Sequence, residues 1–216
     1  MDPTNILITV LVYAIPVIFA ITLHEAAHGY VARMFGDNTA FVAGRITLNP
    51  LKHIDPVGTV LVPASILLLS SIGGGGFLFG WAKPVPVDFG NLRNPKRDMI
   101  WVAGAGPAVN LLMAIAWALG MKLLMVLGIR EVFFVEMAKA GVLVNIGLMA
   151  VNLLPLPPLD GGRIVTGLLP SRLAWQFSKI EPYGLFIMIG LMMTHTLSFF
   201  LAPFYALGIG IVRLFI

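Results

Sequence analysis

The stretch from residue 19 to residue 36 reads FAITLHEAAHGYVARMFG. It ends an apolar N-terminal segment, yet it contains two histidines, a glutamate and an arginine. His24 and His28 are four residues apart, so on a helix they lie on the same face. Ionisable side chains are rare in membrane segments, because each costs at least about 2.5 kcal/mol unless it is paired or hydrated. The stretch therefore indicates a membrane helix with a functional site near its end.

The composition of the whole chain is that of an integral membrane protein. Of the 216 residues, 58% are hydrophobic and 11% are charged, whereas soluble domains have about 25% charged residues. The chain has no cysteine, which excludes disulfides and thiolate metal ligands. Its net charge is +4. In a membrane protein such an excess of lysine and arginine usually lies in the loops that set the topology, so it does not indicate nucleic-acid binding. We expect one compact unit with a retained N-terminus, because the sequence has neither repeats, nor a linker, nor a basic leader region.

Four apolar regions are long enough to cross a bilayer, which needs about 20 helical residues. They are residues 6–34, 99–127, 132–154 and 183–216. The last region is long enough for two helices, with a break near residues 194–196 or at Pro203. A shorter run, residues 57–72, contains a proline and ends before four glycines, which favours a re-entrant segment. The predicted fold class is an all-α polytopic membrane protein with about five to six transmembrane helices.

The distribution of positive charge predicts the orientation of these segments. If residues 57–72 do not cross, lysines and arginines are abundant between the first two spans, scarce in the next loop and abundant again after the third span. The positive-inside rule then places the charge-rich side in the cytoplasm and the N-terminus outside. On this topology the end of the first span and the chain after the third span share the cytoplasmic side. We expect a multi-pass protein in the cell membrane of a prokaryote.

The segment His24-Glu25-Ala26-Ala27-His28 has the pattern H-E-x-x-H. Two imidazoles on one helix face can hold a Zn²⁺ ion at about 2.0–2.1 Å each. Glu25 lies about a quarter-turn away, so its carboxylate can reach a water on the metal as a general base. The alternative is that the histidines bond lipid or backbone at the membrane interface, while Glu25 pairs with Arg33.

A catalytic zinc site needs a third protein ligand and an open position for water. Asp160 is the strongest candidate, because it follows the proline-rich end of the third span and precedes a glycine pair, residues 161–162. We expect the glycines to let the chain turn tightly. His53 lies in a polar, turn-rich stretch and is expected at the surface, while His195 falls on the opposite side of the membrane. The alternative role for Asp160 is an ordinary helix N-cap.

Together these motifs resemble the site-2 protease family of intramembrane zinc metalloproteases, peptidase family M50. The resemblance rests on H-E-x-x-H, on Leu159-Asp160-Gly161, and on four further motifs: Asn49-Pro50, GWAKPVPV at residues 80–87, AGPAVN at residues 105–110 and NLLP at residues 152–155. It implies that His24, His28 and Asp160 bind zinc and that Glu25 activates water. We expect a single intramembrane metalloprotease domain over residues 1–216, which departs from larger members of the family in lacking a PDZ or CBS module.

Three further features have open interpretations. Asn110 and Asn152 lie in apolar spans, where they either contact the substrate backbone or oxyanion or bond neighbouring helices. The sequence does not decide between these two roles. Residues 39–49 alternate in polarity, which favours a short β-hairpin dipping into the membrane, with an edge that could add a substrate strand.

The resemblance implies a substrate that is a transmembrane or membrane-anchored helix, cut in or near the bilayer. The main alternative is a metal- or proton-coupled transporter, because intramembrane His, Glu and Asp also mark ion pathways. Transporters usually have two related halves, which this sequence lacks. A zinc-binding scaffold without protease activity is a third possibility, against which Glu25 argues. Expected partners are the lipid bilayer and a transmembrane protein substrate, and the oligomeric state, a homo-oligomer included, is left open.

Overall fold

The computed structural model describes residues 3–61 and 82–216. Within these residues the structure is helical and contains no strand. The α-helices are α1 (Pro3–Met34), α2 (Thr39–Val42), α3 (Pro95–Val126), α4 (Val132–Asn152), α5 (Asp160–Leu168), α6 (Ser171–Ser178), α7 (Gly184–Met193) and α8 (Leu197–Val212). Short 3₁₀- or π-helical turns lie at Pro50–Lys52, Pro56–Leu61, Phe89–Asn91 and Glu181–Tyr183.

Three helices in the described part are long and apolar enough to cross a membrane. They are Val10–Met34 within α1, Pro95–Val126 and Val132–Asn152. A fourth candidate combines Ser171–Met193 with Leu197–Val212, which meet at an angle of 96°. Because α7 has 10 residues, it is about 15 Å long, half the thickness of a bilayer core. The all-helical membrane fold is therefore confirmed with three to four candidate spans, whereas the predicted five to six are not confirmed.

The C-terminal region breaks at residues 194–196, the first of the two predicted places. His195 has φ of 57°, a left-handed conformation that stops a helix. The Thr194 hydroxyl adds a second bond to the Gly190 carbonyl at 2.8 Å, and the backbone N–H groups of residues 195 and 196 satisfy the last carbonyls of α7. Pro203, the other predicted place, lies inside α8. The local polar residues therefore end the helix here, and the proline does not.

The β-hairpin predicted over residues 39–49 is wrong. Thr39–Val42 form the helical turn α2, and residues 43–49 contain no strand. The Asp37 carboxylate accepts the backbone N–H of Thr39 at 3.0 Å, and Gly44, with φ of 63°, ends the turn. These local bonds outweigh the alternating polarity on which the prediction rested. Of the predicted re-entrant segment, residues 57–72, the part from residue 62 onward lies outside the described residues.

Helix α3 is the centre of the fold and packs against α1, α4 and α5. Its Ala114 and Ala118 are fully buried against Ile146 of α4 and Val212 of α8. Gly141 of α4 lies directly on an indole ring, since a Cβ atom there would be 2.3 Å from Trp117. Small residues let membrane helices approach closely. This packing brings the C-terminal half of α1, the N-terminal half of α3 and the start of α5 together.

Candidate metal centre

Three side chains from two separate helices meet at one buried point. His24 Nε2 and His28 Nε2 of α1 are 3.0 Å apart. Asp160 Oδ2, at the start of α5, lies 3.2 Å from His24 Nε2 and 3.4 Å from His28 Nε2. The exposed fractions are 7% for each histidine and 5% for the aspartate. The structure thus brings together the three residues that the sequence predicted as metal ligands.

The spacing of these atoms fits a tetrahedral zinc site. Ligands about 2.0–2.1 Å from a tetrahedral zinc ion are about 3.3 Å from one another, close to the three distances observed. Asp160 Oδ2 is buried and receives no hydrogen bond of good geometry from the described residues. A buried polar oxygen of this kind normally has a partner, and a cation would provide one. Two imidazoles and one carboxylate are also a usual donor set for catalytic zinc.

The other nitrogen of each imidazole is held by a hydrogen bond. His28 Nδ1–H donates to the Val102 carbonyl at 2.7 Å, and His24 Nδ1–H donates to Asn110 Oδ1 at 2.6 Å. The Asn110 amide nitrogen in turn donates to Asn145 Oδ1 at 3.0 Å. Because each Nδ1 carries the proton, each Nε2 has a free lone pair directed at the shared point, which is the tautomer that a metal ligand requires.

Gly106 of α3 makes the close approach of the two histidine rings possible. A Cβ atom at this position would lie 2.5 Å from His24 Cε1 and 2.5 Å from His28 Nε2. The sequence suggested that Gly106-Pro107 serves helix packing, and the packing partners are the two imidazoles. Gly106, Asn145 and Val102 were not predicted as parts of the site, because their role depends on how α3 is rotated against α1.

The start of α5 is fitted tightly against the turn that precedes it. A Cβ atom at Gly161 would lie 2.3 Å from the Leu153 carbonyl oxygen, and one at Gly162 would lie 2.4 Å from the Pro157 nitrogen. Both glycines are helical, so they allow close backbone contact and do not form the expected tight turn. The helix begins at Asp160 without a side-chain cap bond, so the N-cap alternative is wrong.

Glu25 is adjacent to the three ligands but has a different partner. Its Oε2 accepts the backbone N–H of Val85 at 2.7 Å. Val85 is 7% exposed and lies among residues 82–88, which have no regular secondary structure. The predicted alternative, a Glu25–Arg33 pair, is not adopted, because the Arg33 guanidinium lies over the Phe41 ring at 3.6 Å. The general-base candidate is therefore fixed by backbone and not by a cation.

The remaining sequence candidates lie elsewhere. His53 is 1% exposed, so its expected surface position is wrong; its Nε2–H donates to the Thr47 carbonyl at 3.0 Å. His195 is exposed in the break between α7 and α8. The Asn152 amide donates to the Leu148 carbonyl of its own helix at 3.0 Å. None of these three belongs to the group of metal-ligating side chains found among the described residues.

Comparison with known proteins places this chain in a family. The sequence profile of Peptidase family M50 matches residues 129–195. Two relatives carry the name "Putative zinc metalloprotease". YwhC of Bacillus subtilis is 37% identical over 204 residues, which cover 90% of this chain and 85% of YwhC. Rip2 of Mycolicibacterium smegmatis is 29% identical over 182 residues, which cover 84% of this chain and 66% of Rip2.

No solved structure matches the chain at a comparable level of significance. The similarity to YwhC extends over nearly the whole chain, and the profile match includes Asp160 and the preceding end of α4. Nothing in these comparisons favours a transporter. The chain belongs to peptidase family M50 and is an intramembrane zinc metalloprotease.

Proposed function

We propose that His24, His28 and Asp160 hold the zinc ion of this protease. The observation that supports the proposal best is the triangle of three buried donor atoms, 3.0 to 3.4 Å apart. The donors come from α1 and α5, and the hydrogen bonds at each Nδ1 keep both rings in the ligating tautomer. When bound, zinc supplies Lewis acidity toward a water molecule and toward a substrate carbonyl.

Glu25 is the proposed general base. The Val85 N–H holds its Oε2, which leaves Oε1 to take a proton from the attacking water. The same carboxylate then delivers that proton to the amine of the cleaved peptide bond, as general acid catalysis requires. Its place beside His24 in the H-E-x-x-H motif puts it next to the metal ligands without making it one.

Asn110 is proposed to be a positioning residue that acts through His24. It is fully buried, and its amide nitrogen donates to Asn145 Oδ1 and to the Ala20 carbonyl at 3.3 Å. With its oxygen also bonded to His24, it has no group left for a substrate oxyanion. Asn152 lies at the end of α4 and is half-buried. The proposal of a substrate contact therefore falls to Asn152 and no longer to Asn110.

The proposed substrate is a transmembrane or membrane-anchored helix that is cut on the cytoplasmic side. The ligands at the end of α1 and the start of α5 are separated by the two long helices α3 and α4. Since α3 and α4 together cross the membrane twice, the two sets of ligands share one side of the membrane if the chain between α1 and α3 does not cross it. This supports the topology in which residues 57–72 do not cross, with the charge-rich side in the cytoplasm. The finer count of five to six spans remains a prediction.

The substitution Glu25→Gln tests the enzymatic assignment. The amide has the same shape as the carboxylate but cannot act as a base, so cleavage of a single-span substrate should fall by a factor of about 10²–10⁴. The zinc content of the purified protein should stay the same, because Glu25 is not a ligand. His24→Ala is the matched comparison and should lose both activity and zinc. Near-normal cleavage by Glu25→Gln would remove the residue from the mechanism, and loss of zinc would make it a ligand.

A further inference from the structure

A second, cationic site lies next to the segment that supports Glu25. It is a cavity of about 340 Å³ between the turn after α2 and the segment that follows residue 82. The described residues that line it include Arg45, Lys52 and Lys83 and no acidic residue. Three positive charges around one cavity repel each other unless an anion lies between them. The charge of the cavity therefore points to an anionic ligand.

The geometry of Arg45 supports this assignment. Its Nη2 donates to the Lys83 carbonyl at 2.9 Å and to the Pro84 carbonyl at 3.3 Å, which fixes the guanidinium in the wall. Only 9% of Arg45 is exposed, and its Nε is buried without a hydrogen-bond partner among the described residues. A charged donor left without an acceptor is costly. Nε itself is closed off from the cavity, so an anion there would offset the charge of the guanidinium and would not bond Nε.

Exposed apolar side chains accompany the cavity. Leu51, which lines it, is 74% exposed, and Val42 and Leu48, close in sequence to the lining residues Ala43 and Arg45, are 82% and 69% exposed. In a membrane protein, large apolar side chains next to lysines and arginines are typical of a surface that binds anionic lipid. A free small anion would contact the cations but would leave these side chains without a partner.

We propose that this cavity binds the phosphate of an anionic phospholipid headgroup. Arg45, Lys52 and Lys83 contact the phosphate oxygens, and Leu48 and Leu51 contact the acyl chains. Lys83 is two residues before Val85, whose N–H holds Glu25. The bound lipid would therefore hold the backbone segment that supports the general base. The site is separate from the zinc ligands, and its occupancy can be measured without any cleavage assay.

The test is the thermal unfolding midpoint of the full-length, zinc-loaded protein in detergent, titrated with short-chain lipids. Dihexanoyl phosphatidylglycerol should raise the midpoint saturably, whereas dihexanoyl phosphatidylcholine should not. Each lysine near an anionic lipid is worth about a fivefold change in affinity, so Lys52→Gln/Lys83→Gln should weaken binding by about 20- to 30-fold. The double variant Lys122→Gln/Lys179→Gln removes the same charge elsewhere and should bind like the wild type.

Three results would overturn the proposal. Equal effects of phosphatidylcholine and phosphatidylglycerol would show that the cavity does not select an anion. Saturation by inorganic phosphate at the same concentration as the lipid would identify a small-anion site without an acyl-chain contact. Equal affinities in the two double variants would place the binding site elsewhere. Zinc content, measured on each sample, separates these outcomes from damage to the metal centre.

Discussion

Histidines are buried in two regions of this protein, and the two regions differ in what surrounds them. In the metal centre, His24 and His28 each have an acceptor at Nδ1, while their Nε2 atoms face each other and Asp160. At the turn after α2, His53 is more deeply buried, but its Nε2 is bonded to the Thr47 carbonyl. Burial alone therefore does not identify a metal ligand. What identifies the metal centre is that metal-ligating atoms with free lone pairs converge on one point.

The two regions also depend on different kinds of contact. The metal centre is positioned by the packing of long helices, with Gly106 and Asn110 of α3 against the imidazoles. The turn region is positioned by bonds to backbone, such as the Lys83 N–H to the His53 carbonyl at 3.0 Å. Substitutions in the first region should change zinc binding, and substitutions in the second should change stability while leaving zinc in place.

The largest effect is expected from Gly106→Ala. The added methyl group would lie 2.5 Å from both imidazoles, so the rings or α3 must move and the three donors separate. Overpacking of this kind typically costs about 1–3 kcal/mol of stability, and zinc content should fall to near zero. Gly104→Ala on the same helix is the control, because a Cβ atom there meets nothing within 4 Å. Full zinc content in Gly106→Ala would contradict the close packing described.

Asn110→Ala should have the next largest effect. It removes the acceptor that orients His24, and loss of such a supporting bond typically lowers metal affinity by about 10- to 100-fold. The measurement is competition for zinc with a chelator of known affinity. Asn152→Ala is the matched control, since the one bond of the Asn152 amide among the described residues goes to the carbonyl four residues earlier in α4. Equal zinc affinities in the two variants would remove Asn110 from the metal centre.

The break of the C-terminal region near Thr194 was predicted from polar and helix-stopping residues within a few positions, and the structure has it there. The convergence of His24 and His28 follows from their spacing on one helix face, whereas the catalytic role of Glu25 stays a prediction. The surface position of His53 was predicted from the same local signals and is wrong. Local signals do not reveal long-range contacts such as the bond from the Lys83 N–H, 30 positions away, to the His53 carbonyl. Asn145 was not predicted, since its bond to Asn110 depends on how α3 and α4 face each other.

Asp37 lies in the turn between α1 and α2, outside the metal centre, and should affect stability only. Its side chain is fully buried and accepts from the Thr39 and Asp88 backbone N–H groups at 3.0 and 2.9 Å. Asp37→Asn should therefore lower the free energy of unfolding by about 1–3 kcal/mol. Zinc content should not change. A loss of zinc in the folded variant would mean that the two regions are coupled.

The effect of Asp37 should also depend on pH. Burial acts to raise its pKa, but the hydrogen bonds from Thr39, Asp88 and Asn91 lower it below the ordinary value of 3.8. A lowered pKa stabilises the fold at pH values above the ordinary one, and this stabilisation is lost as the pH falls through the lowered pKa. The difference between wild type and Asp37→Asn should be constant above about pH 5 and shrink below pH 3.8. A difference that does not change with pH would contradict this assignment.

The most direct test of the central claim is the zinc content of purified protein, measured by elemental mass spectrometry. The wild type and His53→Gln should carry about one zinc ion per chain, the number expected of a single three-ligand site. His24→Ala/His28→Ala and Asp160→Ala should carry almost none while remaining folded. Stoichiometric zinc in the folded double variant, or its loss in folded His53→Gln, would contradict the assignment of His24, His28 and Asp160 as the metal ligands.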